Sequence, residues 1–129
     1  MPLVNTRLDG EILLIGINRP EKRNCVNHAT AIALVKAFER FNRDPANAVT
    51  DDRFPNEYRY LGPSIIPLEK PLIVAVEGYA VAGGLELSLM ADIRVCSRSA
   101  KFGVFCRRHG VPLIDGGTVR LPRIIGLGR

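Results

Sequence analysis

The sequence predicts an α/β fold, on three observations. Two runs of β-forming residues flank Asp9-Gly10 near the start, residues 27–42 carry apolar side chains at helical spacing, and residues 71–96 read as strand, turn, helix and strand in succession. Val4 to Leu8 and Glu11 to Asn18, joined by a dipeptide suited to a type I′ turn, predict a β-hairpin. Arg19 to Asn24 is a charged loop, because Pro20 has no N–H for a strand ladder and disfavours helix at Arg19. Ala31, Leu34, Val35, Phe38 and Phe41 recur at intervals of three and four, which places them on one face of a helix with Asn27 as its N-cap.

Residues 43–70 are punctuated by Asp44-Pro45, Phe54-Pro55-Asn56 and Gly62-Pro63-Ser64, and read as loop with one short helix. Pro71 to Gly78 is a continuous apolar run closed by glycine, the pattern of a strand covered on both faces. Tyr79 to Gly84 reads as a small-residue turn, Leu85 to Ala91 as a short helix, Asp92 to Cys96 as a strand and Ala100 to Gly103 as an extended piece. Gly116 to Ile125 reads as a helix interrupted at Pro122. This order predicts a right-handed βα unit.

A chain of 129 residues with 47% hydrophobic residues suits one domain, residues 1–129. No apolar run approaches the roughly 18 residues of a membrane span, and the start lacks a signal-peptide pattern, so a soluble chain is expected. Cys25, Cys96 and Cys106 are odd in number and widely spaced, which fits neither a disulfide framework nor a paired metal site and favours a reducing compartment. His28 and His109 have no ligand-spaced companion, so no metal is expected. The net charge of +5 is uneven: residues 94–129 hold eight Lys/Arg against Asp115 alone. Such a basic end attracts phosphates of any kind, but aromatics are only 6% and hardly interleave with it, which ranks nucleic acid behind other anionic partners.

The segment Glu77 to Leu87 carries the chemistry. A strand that ends in glycine and enters a helix through Ala82-Gly83-Gly84 leaves the first amides of that helix unpaired and unshielded by side chains. Such amides can hold a developing oxyanion. Glu86, three residues beyond Gly83, can return its carboxylate to the same place and take a proton from water or from a carbon beside a carbonyl. Close packing of a Gly-Gly turn is the competing explanation.

With its neighbours this segment resembles the enoyl-CoA hydratase/isomerase (crotonase) superfamily. The resemblance rests on Asn18 to Asn24, Lys70-Pro71 through Asp92-Ile93-Arg94, Ala100-Lys101-Phe102-Gly103, and Gly116 to Gly126. It implies a crotonase-like spiral of ββα units that binds an acyl-CoA thioester, with coenzyme A as part of the substrate and no separate cofactor. Gly83 matches one of two backbone donors that polarise the thioester carbonyl, and Glu86 one of two hydratase glutamates. Lys22 and Arg23 match positions that meet the CoA phosphates or adenine, and Val26, Gly84 and Cys106 complete the substrate-binding set.

Three departures qualify the resemblance. Nothing between Val49 and Lys70 resembles the stretch that bears the other oxyanion donor, and losing such a donor costs about a hundredfold to a thousandfold in rate. The second glutamate falls on Cys106, whose thiol is a poor acid for the α-carbon. The match stops at Gly126-Leu127-Gly128-Arg129, where relatives continue into helices used for trimer packing. The expectation is therefore a spiral shortened by an internal gap and without its C-terminal trimerisation helices. Activity should be impaired, Leu72 to Val76 and the face of Leu85, Leu87 and Leu89 should be undercovered, and the full-length form should be a trimer or hexamer. Asp115 aligns with a functional aspartate of some superfamily isomerases and a dehalogenase, and competes with a role as N-cap of the helix at Gly116. The rival functions are a non-catalytic acyl-CoA binder, an inactive shortened isoform and an RNA-binding member. The expected location is cytoplasmic, or mitochondrial where a targeting segment is missing.

Overall fold

The hairpin at the start of the chain is present in the computed structural model, which describes residues 1–42 and 61–128. Strands β1 (Val4–Asp9) and β2 (Ile12–Ile17) pair antiparallel, with Asp9 opposite Ile12. The two-residue loop is thus Gly10-Glu11, and only Gly10 has positive φ, at 60°. That is the demand of a type II′ turn, not of the type I′ turn expected from Asp9-Gly10.

Helix α1 (His28–Asn42) follows the charged loop. Asn27 caps it: its Oδ1 accepts the N–H of Thr30 at 3.0 Å and the Thr30 hydroxyl at 2.6 Å. Thr30, Ala31, Leu34, Val35 and Ala37 are buried, while Phe38 and Phe41 on the expected face are half-buried. α1 packs on the hairpin and on a single 3-10 turn at Pro63–Ile65. Gly62 lets that turn approach, since a Cβ there would lie 2.6 Å from the carbonyl oxygen of Ala31 and its φ is +80°. The last turn of α1 is tied down by Asn42, whose Nδ2 donates to Pro67 at 2.6 Å, and by Lys70, whose Nζ donates to the Phe41 carbonyl at 2.7 Å.

These elements belong to one of two units, Met1–Lys70; the other is Pro71–Arg129. The second unit repeats one theme. Strands β3 (Ile73–Val76) and β4 (Tyr79–Val81) lead into helix α2 (Gly83–Ser88), and β5 (Ile93–Cys96) and β6 (Lys101–Gly103) lead on to helix α3 (Gly117–Ile125). β3 pairs in parallel with β5, and β4 in parallel with β6, so each strand meets its counterpart one repeat later. Between the repeats, Asp92 Oδ2 accepts the N–H of Leu72 at 2.8 Å and the Ser97 hydroxyl donates to the Glu77 carbonyl at 2.7 Å. Arg94 Nη1 donates to the Ala91 carbonyl at 2.6 Å, just beyond the end of α2.

Several expectations are corrected. Tyr79 to Gly84 is not simply a turn, because its first three residues form β4; their partner strand lies some twenty residues downstream. β3 is covered on one face only: Leu72, Val74 and Val76 are half-buried while Ile73 is 61% exposed. Its parallel neighbour presents Ile93 and Val95 beside it, both more than half exposed. By contrast Leu85 and Leu89 are buried, so the face of α2 expected to be undercovered is packed. α3 runs through Pro122 without a break. The carbonyl that loses its donor is that of Thr118, an exposed residue.

Candidate active site

The turn from β4 into α2 is held from both sides at Ala82. Its N–H donates to the Gly103 carbonyl on β6 at 3.0 Å, and its own carbonyl accepts the N–H of Glu86 at 3.1 Å, the first bond of the helix. Ala82 has φ 51° and ψ −122°, a backbone conformation that residues with a Cβ rarely adopt. The turn so formed leaves Gly83 as the first residue of α2, ahead of the helical bonding, and its N–H meets no acceptor among the described residues. Gly83 is half-buried and Gly84 exposed.

One turn further on, Glu86 is 2% exposed. Its Oε1 accepts two backbone N–H groups, from Asp115 at 2.8 Å and from Gly117 at 2.9 Å. Both lie at the start of α3, where unpaired amides and the helix dipole favour a carboxylate. Glycine at 117 leaves room for this approach, because a Cβ there would sit 2.9 Å from Glu86 Cγ and 3.0 Å from Oε1 and the side chain would have to shift. Fully buried side-chain polar atoms of the described residues all have hydrogen-bond partners; Oε2 of Glu86 has none and so reaches accessible space.

Asp115 is also 2% exposed, and the Glu86 contact puts the two acidic residues side by side. It is not the N-cap of α3. That position belongs to Gly116, at φ 98°, with no side-chain cap bond, and the N–H that a capping side chain would take is held by Glu86 instead. The Asp115 carbonyl accepts Arg120 Nη1 at 3.1 Å.

Cys106 begins a 3-10 turn, Cys106–His109, and is buried. It lines an open groove of about 470 Å³ with Val104, Arg107, Gly110, Val111, Pro112, Leu113 and Thr118. Gly83, Glu86 and Asp115 do not line this groove, although Thr118 directly follows the residue that holds Glu86. Lys22, Arg23 and Val26 lie in the first unit: the two cations are exposed and Val26 half-buried. Their loop is fastened by Arg19, whose N–H donates to Asn24 Oδ1 at 2.8 Å and whose guanidinium donates to the Cys25 carbonyl, with Arg23 and Asn24 both at positive φ. Of the region from Val49 to Lys70, expected to lack an oxyanion donor, residues 49–60 lie outside the described residues. Among the described residues no group of three or more His, Cys, Asp or Glu could hold a metal ion, and no helix is long and apolar enough to cross a membrane.

Reading by residue type missed Gly117 and the amide of Asp115 as partners of Glu86, and Ala82 as the strained residue of the turn. The second unit is a repeating β-β-α arrangement in which the Gly83 amide and the buried Glu86 carboxylate lie on one short helix, and comparison with known proteins identifies the family that shares this fold. Residues 46–129 match the family model described as enoyl-CoA hydratase/isomerase. The chain is 33% identical to the mevalonyl-coenzyme A hydratase of Aspergillus fumigatus, over 92% of this chain and 53% of that protein. It is also 33% identical to the crotonyl-CoA hydratase of Syntrophomonas wolfei, over 92% and 55%. Among solved structures, an enoyl-CoA hydratase from Mycobacterium marinum superposes with a TM-score of 0.81 at 39% identity, over 95% of this chain and 55% of that one. The chain belongs to the enoyl-CoA hydratase/isomerase family, and its fold is the crotonase-type α/β spiral. It spans about half the length of the curated relatives it matches.

Proposed function

We propose that this chain acts on an acyl-CoA thioester, by the hydratase/isomerase type of chemistry. The observation that carries the reading is the pairing, within one short helix, of an amide without an acceptor at Gly83 and a buried carboxylate at Glu86 held by two backbone donors. The Gly83 N–H donates to the thioester carbonyl as negative charge develops on its oxygen, which makes the α-carbon acidic and the β-carbon electrophilic. Glu86 takes a proton from the α-carbon or from an attacking water, and Asp115, its neighbour, serves as the second carboxylate. Lys22 and Arg23 supply charge for the CoA phosphates, with Val26, Gly84 and Cys106 as further substrate contacts. Because Cys106 stands where a second hydratase glutamate is expected, hydration is slow relative to proton shuttling. Self-association is part of the proposal, supported by the exposed apolar pairs Ile73 with Ile93 and Ala75 with Val95 on β3 and β5.

The test is the loss of the conjugated enoyl-thioester absorbance with crotonyl-CoA, together with calorimetric binding of the same compound. Binding with slow turnover that drops about a hundredfold or more in Glu86→Gln is expected. The thiol at position 106 favours a second reading, an acyl-CoA binder without catalysis; binding with no turnover, unchanged in Glu86→Gln, selects it. Absence of binding overturns both.

A further inference from the structure

The two oxygens of Glu86 are not equivalent. Oε1 is committed to the N–H groups of Asp115 and Gly117, whereas Oε2 carries no hydrogen bond and reaches accessible space. A carboxylate on a three-bond side chain has several staggered conformations, and two backbone donors on one oxygen select a single one of them. We infer that Gly117 is a positioning residue for the acid/base chemistry: through its N–H and its missing Cβ it fixes Oε1 and thereby aims Oε2, the oxygen that exchanges the proton. This rests on the assignment of Glu86 as acid/base.

The missing side chain matters as much as the N–H. A methyl group on Gly117 would stand 2.9 Å from Cγ, 3.0 Å from Oε1 and 3.3 Å from Cδ of Glu86. Such distances are too short to persist, and because Glu86 is 2% exposed its carboxylate must shift within a packed environment. The relief needed is a few tenths of an ångström; since a misplacement of about 1 Å costs about a hundredfold in rate, a shift of this size is worth about tenfold.

The experiment compares Gly117→Ala, Glu86→Gln, Glu86→Asp and the double variant Gly117→Ala with Glu86→Asp, in kcat and KM for crotonyl-CoA. Gly117→Ala is expected to lose about tenfold in kcat with KM within about threefold, since the thioester contacts are untouched. Glu86→Asp withdraws the carboxylate by one methylene and makes room for the new methyl. The double variant is therefore expected to lose less than the product of the two single losses. A Gly117→Ala enzyme with unchanged kcat overturns the inference, while a loss in Glu86→Gln alongside it leaves the acid/base assignment standing. An unchanged Glu86→Gln overturns both. Should Gly117→Ala not fold, the amide proton resonances of Asp115 and Gly117 decide: they move together in Glu86→Ala if Oε1 holds them, and stay in place if it does not.

Discussion

Glu86 Oε1 and the backbone N–H of Asp115 are 2.8 Å apart, across 29 residues of sequence, and this contact joins α2 to the loop before α3. A single carboxylate therefore links one repeat of the spiral to the next. Removing it leaves two buried donors without a partner, at about 1–3 kcal/mol each. Glu86→Ala is expected to lower stability by about 2–4 kcal/mol, and Glu86→Gln, whose amide oxygen still accepts, by about 1 kcal/mol. Denaturant unfolding of the three proteins gives the order. If Gln and Ala cost the same, the acceptor is not what holds α3.

Ala82 sits at φ 51° and ψ −122° while bonded through its N–H to Gly103 and through its carbonyl to Glu86. Those two bonds keep a residue with a Cβ where glycine is at ease, at a strain of order 1–3 kcal/mol. Glycine recovers that strain but adds freedom to the unfolded chain, about 0.5–1 kcal/mol in the other direction. Ala82→Gly is thus expected to raise stability by about 1 kcal/mol, seen as a higher thermal midpoint, whereas Ala82→Val should lower it. A lower midpoint for the glycine variant contradicts the strain at this turn.

The hairpin and α1 were legible because each depends on neighbours in sequence: a turn glycine between apolar runs, and a helical period with Asn27 at its head. What the sequence hid is what long-range backbone contacts decide. Tyr79–Val81 is a strand because Lys101–Gly103 pairs with it, and three residues of mixed type carry no period. The position of Glu86 just after a Gly-Gly turn is legible, yet its partners are amides 29 and 31 residues away, which residue type does not mark. Asp115 could be read as a cap only while the competing anion was unseen. The apolar run at Leu72 to Val76 could not say which of its faces is covered.

That last difference separates two apolar positions of the second unit. Leu85 on α2 is 4% exposed and Ile73 on β3 is 61% exposed. Leu85→Ala is expected to cost about 2–5 kcal/mol through lost burial and a residual cavity. Ile73→Thr keeps a β-branched residue in an open strand position and should change stability by no more than about 0.5 kcal/mol. Should Ile73→Thr instead destabilise in proportion to protein concentration, that face is an interface between chains.

Cys106 offers a gain of function. It occupies the position where the resemblance calls for a second carboxylate, and it lines the open groove beside Thr118, the residue after the one that holds Glu86. Apart from Arg107, Thr118 and the thiol itself, the residues that line the groove are apolar, and none of them is a carboxylate. A positioned general acid contributes about a hundredfold to ten-thousandfold, and a side chain introduced without evolved support captures a fraction of it. Cys106→Glu is therefore expected to raise the rate of crotonyl-CoA hydration by about tenfold or more. The same change puts a carboxylate where a buried thiol was, at about 1–3 kcal/mol of stability, moderated by the openness of the groove and the nearby Arg107. Cys106→Gln, similar in size and unable to act as an acid, separates the two effects: it should lose stability without gaining rate. A Glu variant that is folded, binds crotonyl-CoA and hydrates it no faster than the parent would show that position 106 does not face the reacting carbons.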